Sequence, residues 1–283
     1  MGTSSPFPGI KNGKPIIPSW AGNGGNDQIP PDRPNDPENP ETEPPEQQPQ
    51  QSDQNQEFQP IVNLRSARIN FGKYASNNRD TQYLRKGVAR YVQRGLGGAR
   101  RAAVRMGTTR RAATTLYGVV QDFVRLGRNA AIEHFQLTHL RDNGLQNVFT
   151  ALVDFICTPG SGLDEAVTRQ AYLKTVEQFP TLGINDQGEM TADTAQTIML
   201  TFITESIFSR LIVDVGENIR KYAAVGEIEM VEQDIHDFIQ GCIYQRLEES
   251  VGRMHALNQD EVEGHIQEVY EIAFDILAGE EDE

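Results

Sequence analysis

The chain has 283 residues and carries 26 Lys and Arg against 40 Asp and Glu, a formal net charge of −14. No apolar run approaches the roughly 18 residues that a membrane span needs. No charged and apolar leader typical of an export signal opens the sequence, so we expect a cytoplasmic protein.

The first 60 residues contain 13 of the 15 prolines and almost nothing apolar between residues 30 and 56. Such a composition cannot offset the entropy of ordering the backbone, which predicts a disordered Pro/Gln/Asn-rich tail. Charge divides the rest, because residues 64–141 hold 16 basic against 3 acidic residues and residues 142–283 hold 7 against 28. We therefore expect a tail (1–60), a basic helical region (61–141) and an acidic all-α region (142–283).

The tail opens on a segment, residues 1–20, with features of a recognition peptide. Gly2 follows Met1, whose removal would expose an unhindered α-amine with a pKa of about 7.7–8.0. The N-myristoylation pattern fails because residue 6 is Pro. Apolar side chains among prolines favour an extended strip that docks on a protein surface. The candidate contacts are Phe7, Pro8, Ile16, Ile17, Pro18 and Trp20.

The anchors in residues 1–20 have two candidate docking places. They pack either in another protein's groove or on this chain's own helices. The linker of residues 21–60 favours the first, since a flexible chain of that length has a root-mean-square reach of roughly 35 Å. That reach is long enough for the peptide to enter another protein's active site.

Residues 61–80 suggest a basic lead-in with a turn at 76–78. A helix capped by Asp80 or Thr81 follows, with Leu84, Val88, Tyr91 and Val92 on one face. The sequence "RGLGGARR" (94–101) interrupts it.

The remaining pattern is also helical. Apolar spacing predicts a helix from residue 108 or 109 to 134 and a central core helix over 145–157, ended by Pro159 and Gly160. Further helices are expected near 163–178, 191–224, 226–255 and 260–278. Because few segments alternate with period two, the fold class is mostly α, with a bundle-like body behind the tail.

Seven arginines stand within 22 residues that contain no acid, so helical i, i+4 ion pairs cannot neutralise them locally. Arginine suits bidentate contact with phosphates or carboxylates. The partner is either nucleic acid, or an acidic surface of another protein or of the chain's own second half. The seven are Arg90, Arg94, Arg100, Arg101, Arg105, Arg110 and Arg111.

No complete catalytic or metal-binding motif is present. The five histidines lack ligand spacing and are predicted to be exposed or half-buried, and Cys157 and Cys242 are predicted to be buried free thiols. "NDQGE" (185–189) lacks the ligand pattern of an EF-hand. "GLGG" (95–98) is a weak phosphate cradle that fits a helix break better. We expect no metal, no cofactor and no enzymatic activity.

Several stretches of the first 140 residues resemble the QatB component of the Qat anti-phage defence system. They are "MGTSS", "PIIPSW", the polar linker and "FGKYASNNRDTQYLRKGVARYVQRGLGGARRAAVRMGTTRRAA" (71–113). The resemblance implies work beside an ATPase, a QueC-like enzyme and a TatD-like nuclease. It also implies that the QueC-like enzyme attaches a deazaguanine-type base to the amine of Gly2.

Two functional hypotheses follow. The first is a non-enzymatic defence component whose tail binds the QueC-like partner and is modified at Gly2. The second is an arginine-rich nucleic-acid adaptor that recruits a nuclease to phage DNA.

Overall fold

A computed structural model describes residues 63–184 and 189–279, and these residues form eleven α-helices with no β-strand among them. Residues 91–96 continue α2 as a π-helical turn, and 3-10 turns occupy 138–140 and 253–256. The helices are Arg65–Ser76 (α1), Thr81–Arg90 (α2), Ala99–Arg105 (α3), Gly107–Leu126 (α4), Arg128–His134 (α5), Leu145–Ala151 (α6), Val153–Ile156 (α7), Leu163–Glu177 (α8), Ala192–Tyr222 (α9), Ile228–Gly252 (α10) and Gln259–Gly279 (α11). The predicted mostly α body is confirmed.

Side-chain caps mark where two of the helices begin. The Asp80 carboxylate accepts a hydrogen bond from the Gln82 N–H at 3.0 Å, so the predicted cap of α2 is confirmed. Thr191 caps α9 in the same way through the Thr194 N–H at 3.1 Å. Such caps satisfy backbone donors that have no partner inside the helix.

The centre of the fold is α9, which is 31 residues long and contacts α1, α4, α8 and α10. Every residue from 198 to 209 is buried. A helix that is buried on all sides has to be surrounded by other helices. The tail-proximal basic helices and the acidic helices therefore pack around the same helix.

One hydrophobic cluster runs from Ala67 in α1 to Leu277 in α11, so both charge regions contribute to one core. Phe149 of α6 lies 5.1 Å from Phe123 of α4 and 5.2 Å from Phe179, ring centre to ring centre. Tilted and edge-on pairs of this kind stabilise a core beyond the area that they bury. They tie α4 and α6 to the end of α8.

Three helix predictions need correction. Residues 65–76 form α1, where only a basic lead-in was expected. The helix predicted from 108 or 109 to 134 breaks at Gly127, whose φ of 76° ends α4. The predicted core helix 145–157 is two short helices, and Phe155 is exposed. In the second and third cases a local backbone turn interrupts a continuous apolar pattern, whereas α1 is a helix that the basic residues concealed.

Candidate partner-binding surfaces

The residues predicted to bind a partner through the tail lie outside the described residues. They are Gly2, Phe7, Pro8, Ile16, Ile17, Pro18 and Trp20, all before residue 63. The tail, its recognition peptide and its linker therefore stay predictions. Most of the calcium-like turn, residues 185–188, also lies outside.

The chain reverses between α2 and α3 at Gly97 and Gly98, whose φ angles of 84° and 94° favour glycine. The Gly98 N–H donates to the Val92 carbonyl at 2.9 Å and closes the π-helical turn. A Cβ on Gly95 would stand 2.8 Å from Leu64 Cδ2, so this glycine permits close packing. Packing and backbone geometry thus account for the glycines of "GLGG" as a helix break.

The seven predicted arginines lie at the end of α2, on the π-helical turn, on α3 and near the start of α4. The buried residues of α3 are Ala102 and Ala103, which leaves its arginines on the outer side of a short helix that packs on α11. The seven arginines differ in exposure to solvent. Arg94, Arg100, Arg101 and Arg111 are exposed, whereas Arg90, Arg105 and Arg110 are half-buried.

The exposed arginines are not neutralised within the part of the chain that the structure describes. There, Arg94, Arg100 and Arg101 form no ion pair, and Arg111 bonds only to the Thr108 hydroxyl at 3.2 Å. Arg110 turns inward instead and donates to Gln267 Oε1 of α11 at 2.7 Å. We call Arg94, Arg100, Arg101 and Arg111 the arginine face.

Cations elsewhere do pair with the acidic region. The Arg68 guanidinium donates to the Asp214 carbonyl at 2.9 and 3.2 Å. Arg79 pairs with Asp234 at 3.2 Å, and the Tyr74 hydroxyl donates to the same carboxylate at 2.8 Å. The acidic region therefore contacts α1 and the turn that follows it. The arginine face forms no ion pair with the acidic region among the described residues.

A polar cluster fixes the π-helical turn on α9. The buried Tyr91 hydroxyl donates to Asp214 Oδ2 at 2.7 Å, and the Arg210 Nε donates to the same oxygen at 3.3 Å. Arg210 also pairs with Asp164 of α8. This cluster joins the π-helical turn to α9 through the Asp214 carboxylate, and α9 to α8 through Arg210 and Asp164.

The charges of this cluster explain its pKa shifts. Burial and the neighbouring Asp214 carboxylate raise the pKa of Tyr91 well above its usual value. Burial lowers the pKa of Arg210, but Asp214, Tyr91 and Asp164 more than offset it and the pKa is raised. Tyr91 is thus a fixed hydrogen-bond donor, and Arg210 a fixed cation.

A second polar cluster, which the sequence did not indicate, lies between α8, α9 and α10. Glu205 is only 2% exposed, and its Oε1 accepts from Gln178 Nε2 at 2.5 Å and lies 2.6 Å from His236 Nε2. Burial lowers the pKa of His236, but Glu205 and Asp237 outweigh it and the pKa is raised. Both side chains line a cavity of about 610 Å³.

The prediction of two buried thiols is confirmed for Cys157 and is wrong for Cys242, which is half-buried. Neither cysteine forms a disulfide bond within the described residues. Burial raises the pKa of Cys157 to about 12, so its thiol stays protonated at neutral pH. All five histidines are exposed or half-buried, as expected.

Two further surveys cover residues 63–184 and 189–279 alone. No group of three or more His, Cys, Asp or Glu side chains there is placed to hold a metal ion. No helix within these ranges has both the length and the apolar character that crossing a bilayer requires.

Comparison with known proteins gives one family. A family model described as "Qat anti-phage system associated protein QatB" matches residues 97–277, which include the arginine face from Arg100 onward, the Glu205 cluster, and all of the Asp214 cluster except Tyr91. No curated protein and no solved structure shows significant similarity to the chain.

Proposed function

Because the chain belongs to the QatB family of the Qat anti-phage system, we propose that it is a non-enzymatic component whose N-terminal tail binds a QueC-like partner enzyme and is modified at the Gly2 amine. Membership of the family gives the chain a role in anti-phage defence and partners within that system. The family description names a defence system and no reaction. An ATPase and a TatD-like nuclease are further proposed partners.

The observation that carries the proposal is the combination of features in residues 1–20. Gly2 supplies a small residue behind Met1, and large apolar side chains follow among prolines. An amine with a pKa near 8 is partly deprotonated at neutral pH, as bond formation to its nitrogen requires. Residues 1–20 lie outside the family match, which covers residues 97–277.

The test is the intact mass of the full chain, expressed alone and together with the QueC-like partner. We expect a mass increment on co-expression that maps to the peptide beginning at Gly2. Gly2→Pro replaces the primary amine by a ring nitrogen and should abolish the increment. Gly13→Pro changes the same tail without touching the amine and is the matched control, so it should keep the increment.

The anchors are tested separately from the amine. Trp20→Ala, or Ile16→Ser with Ile17→Ser, should reduce both co-purification of the partner and the increment, because large apolar contacts dominate binding of extended peptides. An identical mass with and without the partner would rule out modification. Unchanged co-purification of the anchor variants would rule out the strip as the binding element.

A second candidate function is supported by the exposed arginine face. Unpaired arginines on one short helix and its flanks suit phosphate contact, which favours a nucleic-acid adaptor that brings a nuclease to phage DNA. The chain's net charge of −14 opposes approach to DNA, although salt screens charges beyond about 10 Å.

Duplex DNA binding measured by fluorescence anisotropy across salt concentrations tests this candidate. Arg100→Gln with Arg101→Gln should make the negative slope of log affinity against log salt less steep by about 2, one unit for each lost phosphate contact. Arg125→Gln with Arg169→Gln removes the same charge outside residues 90–111 and should leave the slope nearly unchanged. Equal effects of the two pairs, or no binding by the full chain, would exclude the adaptor.

A further inference from the structure

We infer that the cavity between α8, α9 and α10 is a binding site for a small organic cation that carries a guanidinium or primary ammonium group, with Glu205 as its anchor. No residue of this site belongs to the tail or to the arginine face.

An unpaired buried oxygen is the first observation. Glu205 Oε1 takes both contacts of the carboxylate, from Gln178 and His236, while no donor among residues 63–184 and 189–279 reaches Oε2. A buried carboxylate oxygen without a donor is costly, since burial removes its hydration. A ligand that donates N–H groups satisfies it.

The charge of the lining is the second observation. Five acids line the cavity, against Lys174 and the half-buried His236. Three of these acids are exposed, Glu232 is half-buried, and Glu205 lies deepest. A cation is therefore attracted from outside toward Glu205. The five are Glu177, Glu205, Glu229, Glu232 and Asp237.

The chemistry of the lining favours an organic cation over a metal ion. Within the described parts of the chain, no three of the acidic or histidine side chains are placed to ligate one ion. Dispersed carboxylates suit a cation that donates several separate hydrogen bonds, as guanidinium does. The Phe208 ring in the lining already attracts one cation, since Lys174 Nζ lies 4.9 Å from its centre.

The size of the cavity fits the same ligand class. Small-molecule sites occupy about 300–1,000 Å³, and this one measures about 610 Å³. A short alkyl chain packs against Phe208 and the Leu182 side chain while its charged end reaches Glu205.

The test is isothermal titration calorimetry of the full-length chain with n-butylguanidinium chloride at constant ionic strength. We expect saturable binding of this cation and none of n-butylurea, which has the same shape without the charge. Glu205→Gln keeps the size of the side chain and should weaken binding at least about tenfold, a difference of about 1.4 kcal/mol. Glu263→Gln removes one exposed carboxylate of α11, outside the cavity, and should leave the affinity unchanged.

A second variant separates binding from folding. Glu177→Gln with Glu229→Gln alters only exposed lining residues and should weaken binding about two- to fivefold, as expected for solvated charges. Equal binding of n-butylurea, an affinity unaffected by both variants, or absence of saturable binding by the native chain would each overturn the inference.

Discussion

The arginine face and the carboxylates of α9 differ in what surrounds them. Arg94, Arg100 and Arg101 are exposed and form no ion pair in the described ranges. Asp214 and Glu205, on α9, are held by two side chains each and lie largely out of solvent.

The difference separates charges that maintain the fold from charges that are available to a partner. A buried carboxylate has to be paired, because its desolvation is otherwise uncompensated. An exposed arginine keeps its hydration and has no such requirement. From sequence charge alone, the basic region (61–141) and the acidic region (142–283) look complementary. The contacts between them, however, use residues outside the arginine face, such as Arg68 and Arg79.

Replacing the shared carboxylate should give the largest effect. Asp214→Ala leaves the buried Tyr91 hydroxyl and the Arg210 guanidinium without their common acceptor, so we expect a loss of about 3 kcal/mol in the free energy of unfolding. Urea denaturation followed by circular dichroism measures it. Tyr91→Phe removes one hydroxyl and leaves the ion pair, and should cost about 1 kcal/mol. If both variants lose the same free energy of unfolding, the Arg210–Asp214 ion pair contributes nothing to stability.

Substitution in the glycine turn that precedes α3 should have the next largest effect on the free energy of unfolding. Gly97→Ala places a Cβ 3.1 Å from Arg101 Cδ at a φ of 84°, so we expect a loss of about 1–2 kcal/mol in the free energy of unfolding. Gly118→Ala in α4 meets no atom within 4 Å and should stabilise by up to about 1 kcal/mol, since alanine favours a helix. Thermal unfolding of the two variants gives the comparison, and a stabilising Gly97→Ala would contradict the proposed backbone requirement.

The half-buried His236 predicts how the free energy of unfolding depends on pH. Because the pKa of His236 is raised in the folded state, its contribution is fully present below its ordinary pKa and is lost as pH rises through the folded value. The advantage of the native chain over His236→Gln in free energy of unfolding should therefore be larger at pH 6 than at pH 9. Lys174 of α8, Glu205 of α9 and Asp237 of α10 share its surroundings and remain in both proteins. An advantage that grows with pH would refute the assignment.

The exposed arginines should have the smallest effect on folding. Arg100→Gln with Arg101→Gln removes no ion pair within the described part of the chain, so the free energy of unfolding should change by less than about 0.5 kcal/mol. The same protein sample serves for the DNA measurement, which keeps the two properties comparable. A loss of several kcal/mol would place these side chains among the structural charges.

The local elements were predictable where periodicity and caps agreed. The cap at Asp80, the buried face of α2 and the long helices α8 to α11 follow from apolar spacing and polar helix starts. The spacing of Ala67, Phe71, Tyr74 and Ala75 also marked α1, but the surrounding basic residues obscured it. The break at Gly127 had a signal too, a glycine directly after Leu126.

The polar clusters were not predictable from the sequence. Tyr91 and Asp214 are 123 residues apart, and Glu205 and His236 are 31 apart. Neither separation carries a local pattern, because only the packing of α2, α9 and α10 brings these side chains together. His236 was correctly expected to be at most half-buried, yet its partner had no signature.

The helix α9 is long enough to carry two separate polar contacts. Glu205 and Asp214 are nine residues apart, about 13 Å along the axis, and Asp214 holds Arg68 of α1 through its carbonyl. Residue 63, just before α1, is where the described body begins. The buried Glu205 and the contact that holds α1 are therefore carried by one continuous helix.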